Sequence, residues 1–201
     1  GRAGLALLFG LGAAPGCSDA DSIEGGGAPV RVIAVQKSPI AAARERARPG
    51  GEFYWRAEGT LARPSVVIHL GEQRATIYDG EAVAARSSVC TGRRSHRTPT
   101  GEFTVLEKVP EHTSNRYGDY IDEAGQVVLQ NVDAQNTPAP PGTSFRGTRM
   151  PWFLRIVGGV GLHAGPLPGY PDSHGCVRFP EPIARRLFDA VAVGTPVHIT
   201  D

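Results

Sequence analysis

Short runs in which β-branched residues predominate, or in which apolar and polar residues alternate, recur through most of this chain. Such runs, separated by turn residues, are typical of β-strands. An Asp-Gly pair at residues 79–80 favours a hairpin turn between two of them. The predicted strands cover residues 65–70, 74–78, 81–89, 101–109, 126–132, 152–157, 161–163 and 195–200. We therefore expect a mainly β fold.

One helical pattern interrupts this series near the end of the chain. Residues 180–191 place their apolar side chains on one face, with a proline in the first turn and Gly194 beyond the last turn. Residues 111–120 and 133–149 show neither the alternation of a strand nor the period of a helix, and the second segment is rich in proline. We predict that both segments are irregular, because long loops of this kind often form the walls or lids of substrate sites.

The first residues carry a different pattern. Arg2 precedes an apolar run at 5–14, which is too short to span a bilayer but suits the apolar region of a secretory signal. The small residues before Cys17 resemble the lipobox of bacterial lipoproteins, in which the cysteine carries the lipid. We predict a leader over residues 1–17 and an exported protein of the periplasm or cell envelope, lipid-anchored through Cys17. The alternative is simple secretion with an incidental cysteine.

The rest of the chain divides into a linker and a strand-rich domain. The glycines at 25–27 suit a flexible linker, so we assign residues 18–63 to a linker and N-terminal extension and residues 64–201 to the domain. The aromatic residues at 53–55 are expected to pack on the edge of that domain. A 40% apolar and 20% charged composition fits a globular protein. The net charge of +1 argues against nucleic acid or a membrane surface as a partner.

A thiol and two imidazoles lie within one compact segment. Cys176 directly follows His174 and Gly175, and His163 precedes them across a turn-rich stretch. Nucleophilic acyl transfer needs a thiol that becomes a thiolate and an imidazole that accepts its proton. Gly175 also allows neighbouring amides to point in one direction, as an oxyanion hole requires. These residues therefore predict a cysteine-dependent acyl transferase site.

The neighbouring residues leave alternatives open. Arg178 faces the same side as Cys176 if the strand is extended, where a guanidinium would hold a carboxylate or favour the thiolate; the alternative is a solvated surface arginine. A zinc site made of His163, His174 and Cys176 is disfavoured, because no second ligand pair has metal-binding spacing. We expect no metal and no cofactor. Cys90 is expected to be a small buried apolar residue.

Two segments of the chain resemble one family. The motif Ser-His-Gly-Cys-Val-Arg at 173–178, with His163 upstream, resembles the signature of the L,D-transpeptidase catalytic domain family (YkuD-type). Residues 97–103, which read Arg-Thr-Pro-Thr-Gly-Glu-Phe, resemble a second segment of that family. The resemblance covers residues 64–201 and departs at Ala164, where the family has glycine. It implies a β-sandwich or barrel with one short C-terminal helix packed near the active site.

The resemblance also implies roles, a substrate and a reaction. The implied roles are the nucleophile (Cys176), the general base (His163), the oxyanion-hole and site-shaping groups (Ser173, His174 and Gly175) and the substrate-binding cation (Arg178). The implied substrate is the tetrapeptide stem of peptidoglycan, which forms a thioester and passes to an amine, giving 3→3 crosslinks or attaching a protein to the wall.

Two other functions stay open. With water as the acyl acceptor, the enzyme would be an L,D-carboxypeptidase that trims the terminal D-Ala. The second of these alternatives is a non-catalytic peptidoglycan-binding lipoprotein. The intact cysteine and histidines argue against it. For a catalytic Cys–His pair of ordinary pKa, activity is expected to rise with pH between about 5 and 8.

Overall fold

In the part of the chain that the structure describes, the fold consists of two β-sheets and one helix. The computed structural model describes residues 53–57 and 60–201, so Cys17, the predicted leader and most of the predicted linker lie outside the described residues. The strands of the six-stranded sheet, in chain order, are β1 (Phe53–Trp55), β2 (Pro64–His69), β3 (Arg74–Asp79), β4 (Ala82–Ser88), β5 (Gly101–Thr104) and β11 (Pro196–Thr200). Their spatial order is β1-β4-β3-β2-β11-β5, and only β2 and β11 run parallel.

The second sheet carries the candidate chemistry. Its five strands are β6 (Glu107–Ile121), β7 (Val127–Asp133), β8 (Ser144–Val157), β9 (Val160–Ala164) and β10 (Val177–Phe179), in the spatial order β10-β9-β8-β6-β7. All neighbours are antiparallel except β9 and β10, which are parallel. A parallel pair needs a crossover, and here residues 165–176 supply it.

Both sheets and the helix α1 (Glu181–Ala190) share one apolar core. Fully buried side chains from the two sheets, such as Ile68 and Leu162, belong to the same cluster as Ile183 and Leu187 on the inner face of α1. Pro180 precedes the first turn of α1, where its missing N–H has no intrahelical partner to lose. This arrangement confirms the expected mainly β fold with one short C-terminal helix.

The two segments predicted to be irregular are so only in part: residues 134–143 lie between strands, as predicted, whereas strands elsewhere in them are the main error of the sequence-based prediction. Residues 111–120 form part of β6, and residues 144–149 form the start of β8. These two strands pair with each other along most of their length. Here many of their side chains are exposed or half-buried, so the sequence lacks the apolar period that a core strand shows. The predicted single strand at 101–109 is likewise divided between β5 and β6.

A large bulge interrupts the β6–β8 pairing beside the candidate site. Thr113 pairs with Arg149 and Gly118 pairs with Gly147, so residues 114–117 of β6 stand opposite a single residue of β8. The two strands approach so closely here that a Cβ on Gly147 would lie 2.0 Å from the backbone oxygen of residue 114. Glycine is therefore required at this crossing.

Inside the bulge, one hydroxyl holds the extra residues in place. The Ser114 Oγ accepts hydrogen bonds from the N–H groups of Arg116 (3.2 Å) and Tyr117 (2.8 Å). Bulges bend a strand and redirect its side chains. This one turns Tyr117 towards the cavity described below.

The aromatic residues at 53–55 form β1, which pairs with β4 at the edge of the six-stranded sheet. Strand pairing thus begins on the N-terminal side of residue 64, the predicted start of the domain. Within residues 53–57 and 60–201, no helix combines the length and the apolar character needed to cross a membrane.

Candidate active site

The predicted nucleophile and base come together because β9 and β10 are parallel neighbours at one edge of the five-stranded sheet. In the register of these strands Arg178 lies beside His163, and Cys176 comes two residues before Arg178. Cys176 and His163 both line a cavity of about 530 Å³, together with His174 and Arg178. The crossover therefore brings Cys176 and His163, which are separated along the chain, to the same cavity.

Ser173 holds the turn that presents Cys176. Its buried Oγ accepts a hydrogen bond from the Gly175 N–H (3.0 Å) and donates one to the Cys176 carbonyl (2.5 Å). Gly175 has a φ of +117°, a conformation that other residues rarely adopt. Since the Gly175 amide is bonded to Ser173, it is not free here to bind an oxyanion. Ser173 therefore holds this turn together through two hydrogen bonds.

A brace segment, residues 90–98, runs alongside this turn. Cys90 and Arg178 exchange two main-chain hydrogen bonds, of 3.0 and 2.9 Å. The Arg93 N–H donates to the Ser173 carbonyl at 2.9 Å. The brace segment therefore fixes the catalytic turn at both ends of the Ser-His-Gly-Cys motif.

Thr98 of the brace segment is a residue whose role the sequence reading missed. Its side chain is 3% exposed, and its Oγ1 donates to the Gly175 carbonyl (2.8 Å) and accepts from the Gly92 N–H (2.8 Å). The family-like segment 97–103 marked this region without revealing what the threonine does. Thr98 satisfies two buried backbone groups behind the nucleophile and so holds the motif in place.

The Cys176 thiol lies among backbone groups of the β8–β9 turn and β9. Its Sγ accepts from the Gly161 N–H at 3.4 Å and donates to the Gly159 carbonyl at 3.6 Å. Burial raises the pKa of Cys176 above its ordinary value, although the Gly161 N–H and the Arg178 guanidinium oppose this effect. The resting nucleophile is therefore a neutral thiol.

His163 is buried, with only 5% of its surface exposed. Its Nδ1 lies 2.7 Å from the Ala164 carbonyl, which can only accept, so Nδ1 carries the proton and Nε2 keeps its lone pair. Burial, with a smaller contribution from Arg178, lowers the pKa of His163 from 6.5 to about 4. Although Ala164 departs from the family pattern, its carbonyl orients this ring and its methyl group lies in the core.

Cys176 and His163 therefore form a neutral pair at rest. In the described structure the thiol's hydrogen-bond partners are backbone groups of Gly159 and Gly161 rather than the His163 ring. A transfer of the thiol proton to His163 would require the thiol to leave these partners. The low pKa of His163 and the raised pKa of Cys176 both disfavour such a transfer before a substrate is attacked.

His174 is enclosed by side chains from two other segments. The Tyr117 ring stacks on it, with centroids 4.1 Å apart and planes 19° apart. The His96 ring approaches its edge at 4.9 Å, and the Arg93 Nη2 lies 2.6 Å from its Nε2. Burial first, and the Arg93 guanidinium second, lower the pKa of His174 from 6.5 to about 4. His174 is thus a fixed, neutral wall of the cavity.

The contacts of Tyr117 and Arg93 with His174 were also missed from the sequence. Tyr117 lies in the segment read as a loop, and only the β6 bulge carries it to His174. Arg93 lies far from the motif along the chain, and only the bridge between Gly92 and Ser173 brings it close. No local pattern could have identified either residue.

Arg178 lies at the cavity, but its guanidinium already has a partner. The Nη1 is 3.2 Å from Asp172 Oδ2 and 3.9 Å from Cys90 Sγ. Its side chain is 17% exposed, which excludes the solvated alternative. Its charge still acts on the site, because it lowers the pKa values of both Cys176 and His163.

Cys90 is fully buried, as the sequence predicted, and burial raises the pKa of its thiol. Both Cys90 and Cys176 are free thiols. In the part of the chain that the structure describes, no three His, Cys, Asp or Glu side chains are grouped so that they could hold a metal ion.

Solved structures share this fold at low sequence identity. L,D-transpeptidase 1 of Mycobacterium tuberculosis matches with a TM-score of 0.50 and 20% identity over 69% of this chain and 62% of its own. An L,D-transpeptidase of Mycobacterium smegmatis matches with a TM-score of 0.53 and 18% identity over 82% of this chain and 87% of its own. The LD transpeptidase LdtMt1, solved in complex with imipenem, matches with a TM-score of 0.51 and 19% identity over 68% of this chain and 58% of its own.

This chain thus spans less than two thirds of the length of the M. tuberculosis structure. A comparison with curated proteins finds no match. The model of the L,D-transpeptidase catalytic domain (YkuD) matches residues 63–199, which is more than half of the chain and contains every residue of the site described above. The chain belongs to the L,D-transpeptidase catalytic domain family.

Proposed function

We propose that this protein is a cysteine-dependent L,D-transpeptidase that acts on peptidoglycan stem tetrapeptides through a thioester on Cys176. One observation supports this most strongly: the Cys176 thiol shares a cavity with a buried His163 whose free Nε2 can accept a proton. The substrate class comes from membership of the family. The non-catalytic alternative leaves this neutral thiol–imidazole pair without a purpose.

In the acylation step, Cys176 Sγ attacks the carbonyl carbon at the L-centre of the third stem residue. The thiol proton passes to His163 Nε2, and the tetrahedral oxyanion is held by main-chain N–H groups of the catalytic turn other than that of Gly175, which is bonded to Ser173. The C–N bond to the terminal D-Ala then breaks, and His163 returns the proton to the departing amine. The products are a thioester on Cys176 and free D-Ala.

In the second step, an amine attacks the thioester. Its nitrogen forms the new amide bond, its proton passes to His163, and the C–S bond breaks to regenerate the thiol. A side-chain amine of another stem gives a 3→3 crosslink, and an amine of a protein gives attachment to the wall. Water in the same place gives the carboxypeptidase reaction, which we retain as the alternative.

Acylation by imipenem tests the nucleophile. We expect wild-type protein to gain the mass of the drug at Cys176, because the opened β-lactam forms the same kind of acyl-enzyme. Cys176→Ala should gain none, whereas Cys90→Ala should react like wild type because Cys90 is buried away from the ligand. Intact-mass spectrometry of the folded variants gives the answer. An adduct that persists in Cys176→Ala would exclude this mechanism.

The acceptor is decided by product masses. Wild-type protein is incubated with a tetrapeptide stem, with and without an excess of an amine acceptor. A crosslinked product supports the transpeptidase, and a tripeptide formed equally in both reactions supports the carboxypeptidase. Export to the periplasm or cell envelope, with a lipid anchor at Cys17, stays a prediction from the sequence.

A further inference from the structure

A charged side chain of the brace segment is bonded to two imidazoles. The Arg93 guanidinium reaches His174 Nε2 through Nη2 (2.6 Å) and His96 Nδ1 through Nε (3.4 Å). No ion pair joins Arg93 to a carboxylate within the described ranges. An arginine held by imidazoles rather than carboxylates calls for a role other than charge neutralisation.

The chemistry of these groups fixes the protons of His174. A guanidinium is donor-only and does not lose its charge in proteins, so His174 Nε2 must accept. The proton of the neutral ring is then on Nδ1. No described residue bonds to Nδ1, and the ring lines the cavity that also holds Cys176. The ring therefore offers one N–H donor to a ligand.

The remaining neighbours restrict the orientation of the ring. Tyr117 covers one face of His174, and His96 meets its edge. The Arg93 main-chain N–H is hydrogen-bonded to the carbonyl of Ser173, the residue before His174. This bond fixes the backbone of Arg93 relative to the motif that carries His174. Ring rotation would break the Arg93 bond and the Tyr117 stack together.

We propose that Arg93 is a positioning residue for the transpeptidase reaction: it holds His174 as the neutral Nδ1–H tautomer, so that this N–H binds an acceptor oxygen of the stem peptide beside Cys176. This inference rests on the proposed function. Arg93 acts through His174 and does not itself contact the substrate.

The charges around His174 agree with this assignment. Arg93, His96 and Arg178 all disfavour the protonated ring, and Asp133 alone favours it. The Tyr117 ring stacks on the same imidazole. Without Arg93, His174 would lose both its donor at Nε2 and the nearest cation.

The first test is the ¹⁵N NMR spectrum of the histidine rings. In wild type, His174 should show a protonated Nδ1 and an unprotonated Nε2, with no titration between about pH 5.5 and 8. In Arg93→Met, the ring should show a mixture of tautomers and titrate nearer its ordinary pKa. A wild-type ring protonated at Nε2, or titrating near 6.5, overturns the proposal without any variant.

The second test separates positioning from direct contact. We expect Arg93→Met to lower kcat/KM for the stem peptide by at least roughly tenfold, the scale of losing one oriented donor. Arg93→Lys, which keeps one donor, should recover part of the loss. The matched control is the adjacent Arg94→Met, because Arg94 is exposed and does not line this cavity; it should behave like wild type.

A double-mutant cycle identifies the residue through which Arg93 acts. His174→Asn keeps an N–H donor near the place of Nδ1, so it should retain more activity than His174→Leu. In the His174→Leu background, adding Arg93→Met should cause no further loss. Additive losses, or full activity of Arg93→Met, contradict the proposal.

Failure of the proposed function has a separate readout. If imipenem leaves Cys176 of the wild type unmodified while the NMR spectrum shows the Nδ1–H tautomer, the assigned reaction is wrong and the Arg93–His174 geometry stands. If imipenem acylates Cys176 but His174 shows the other tautomer, the positioning role alone is wrong.

Discussion

At the scale of single residues, the site is built from groups that burial keeps neutral. His163 has a pKa of about 4 and Cys176 has a raised pKa, so neither group is charged at neutral pH. A preformed thiolate–imidazolium pair would need the opposite shifts. In the proposed reaction the proton is therefore transferred during attack, when the developing thiolate forms a bond to the substrate carbonyl.

This neutrality changes the expected pH dependence of acylation. Protonated His163 cannot act as a base, and with a pKa of about 4 it is protonated only as the pH falls through that value. We expect the rate constant of acylation by imipenem to change less than about twofold between pH 5.5 and 7.5. If His163 had an ordinary pKa, as the sequence alone suggested, the rate constant would fall roughly tenfold as the pH is lowered over the same range.

Time-resolved mass spectrometry at constant ionic strength measures these rates. A rise in rate at higher pH, as the Cys176 thiol begins to ionise, is compatible with the neutral pair. A decline centred near pH 6.5 would show that His163 is more accessible to solvent than the structure indicates.

At the scale of elements, the β6 bulge connects the second sheet to the catalytic turn. Its four residues, 114–117, carry Tyr117 onto His174, and the glycine crossing of β6 and β8 makes room for them. A regular β6–β8 ladder would have paired Tyr117 with a residue of β8, whereas here it pairs only with Asp133 of β7. The aromatic wall of the cavity thus depends on a defect in strand pairing.

Gly147→Ala tests this dependence. The new Cβ would meet the Ser114 carbonyl at 2.0 Å, a contact that only a backbone shift can relieve. We expect the free energy of unfolding to fall by about 2 kcal/mol, as for other overpacked sites. Acylation should also slow, because the shift displaces Tyr117 from His174.

Urea denaturation and imipenem acylation measure the two effects of Gly147→Ala. The control is Gly71→Ala, whose Cβ would have its nearest neighbour at an ordinary 3.7 Å. If Gly147→Ala matches Gly71→Ala in both stability and acylation, the bulge does not support the site.

At the scale of the whole molecule, folding and protonation are linked through the buried imidazole of His163. Its pKa is about 4 when folded and 6.5 when exposed, so the unfolded chain binds a proton more readily. Stability contributed by the neutral ring is present above pH 6.5 and is lost as the pH falls towards 4. Asp133 has a pKa of about 2 in the folded protein, so the stability that its ionised carboxylate contributes is lost only below about pH 4.

We therefore expect the wild-type protein to lose about 2 kcal/mol of unfolding free energy from His163 between pH 7 and 4.5. The measurement is urea denaturation at both pH values for wild type and His163→Gln. The variant should show a decrease between the two pH values that is smaller by about that amount, whatever its absolute stability. Equal decreases in the two proteins would contradict the buried, neutral His163.

The sequence by itself determined the chemistry and most of the framework. Strands β2, β3, β4 and β11 and helix α1 followed from their apolar periods and turn residues, because their side chains pack into one core. The motif at 173–178 and the upstream His163 predicted the proposed nucleophile and base, since such groups are recognised by type and order along the chain. The family followed from the same residues.

Only the tertiary structure decided how these groups are arranged. The polar strand at 111–120 was missed because exposed pairing, rather than burial, holds it. Arg93, Thr98 and Tyr117 reach the motif through a parallel crossover, a brace segment and a bulge, which bring together residues that are distant along the chain. The neutral state of His163 and Cys176 was likewise beyond the sequence, because the cost of charging a group depends on what surrounds it in space.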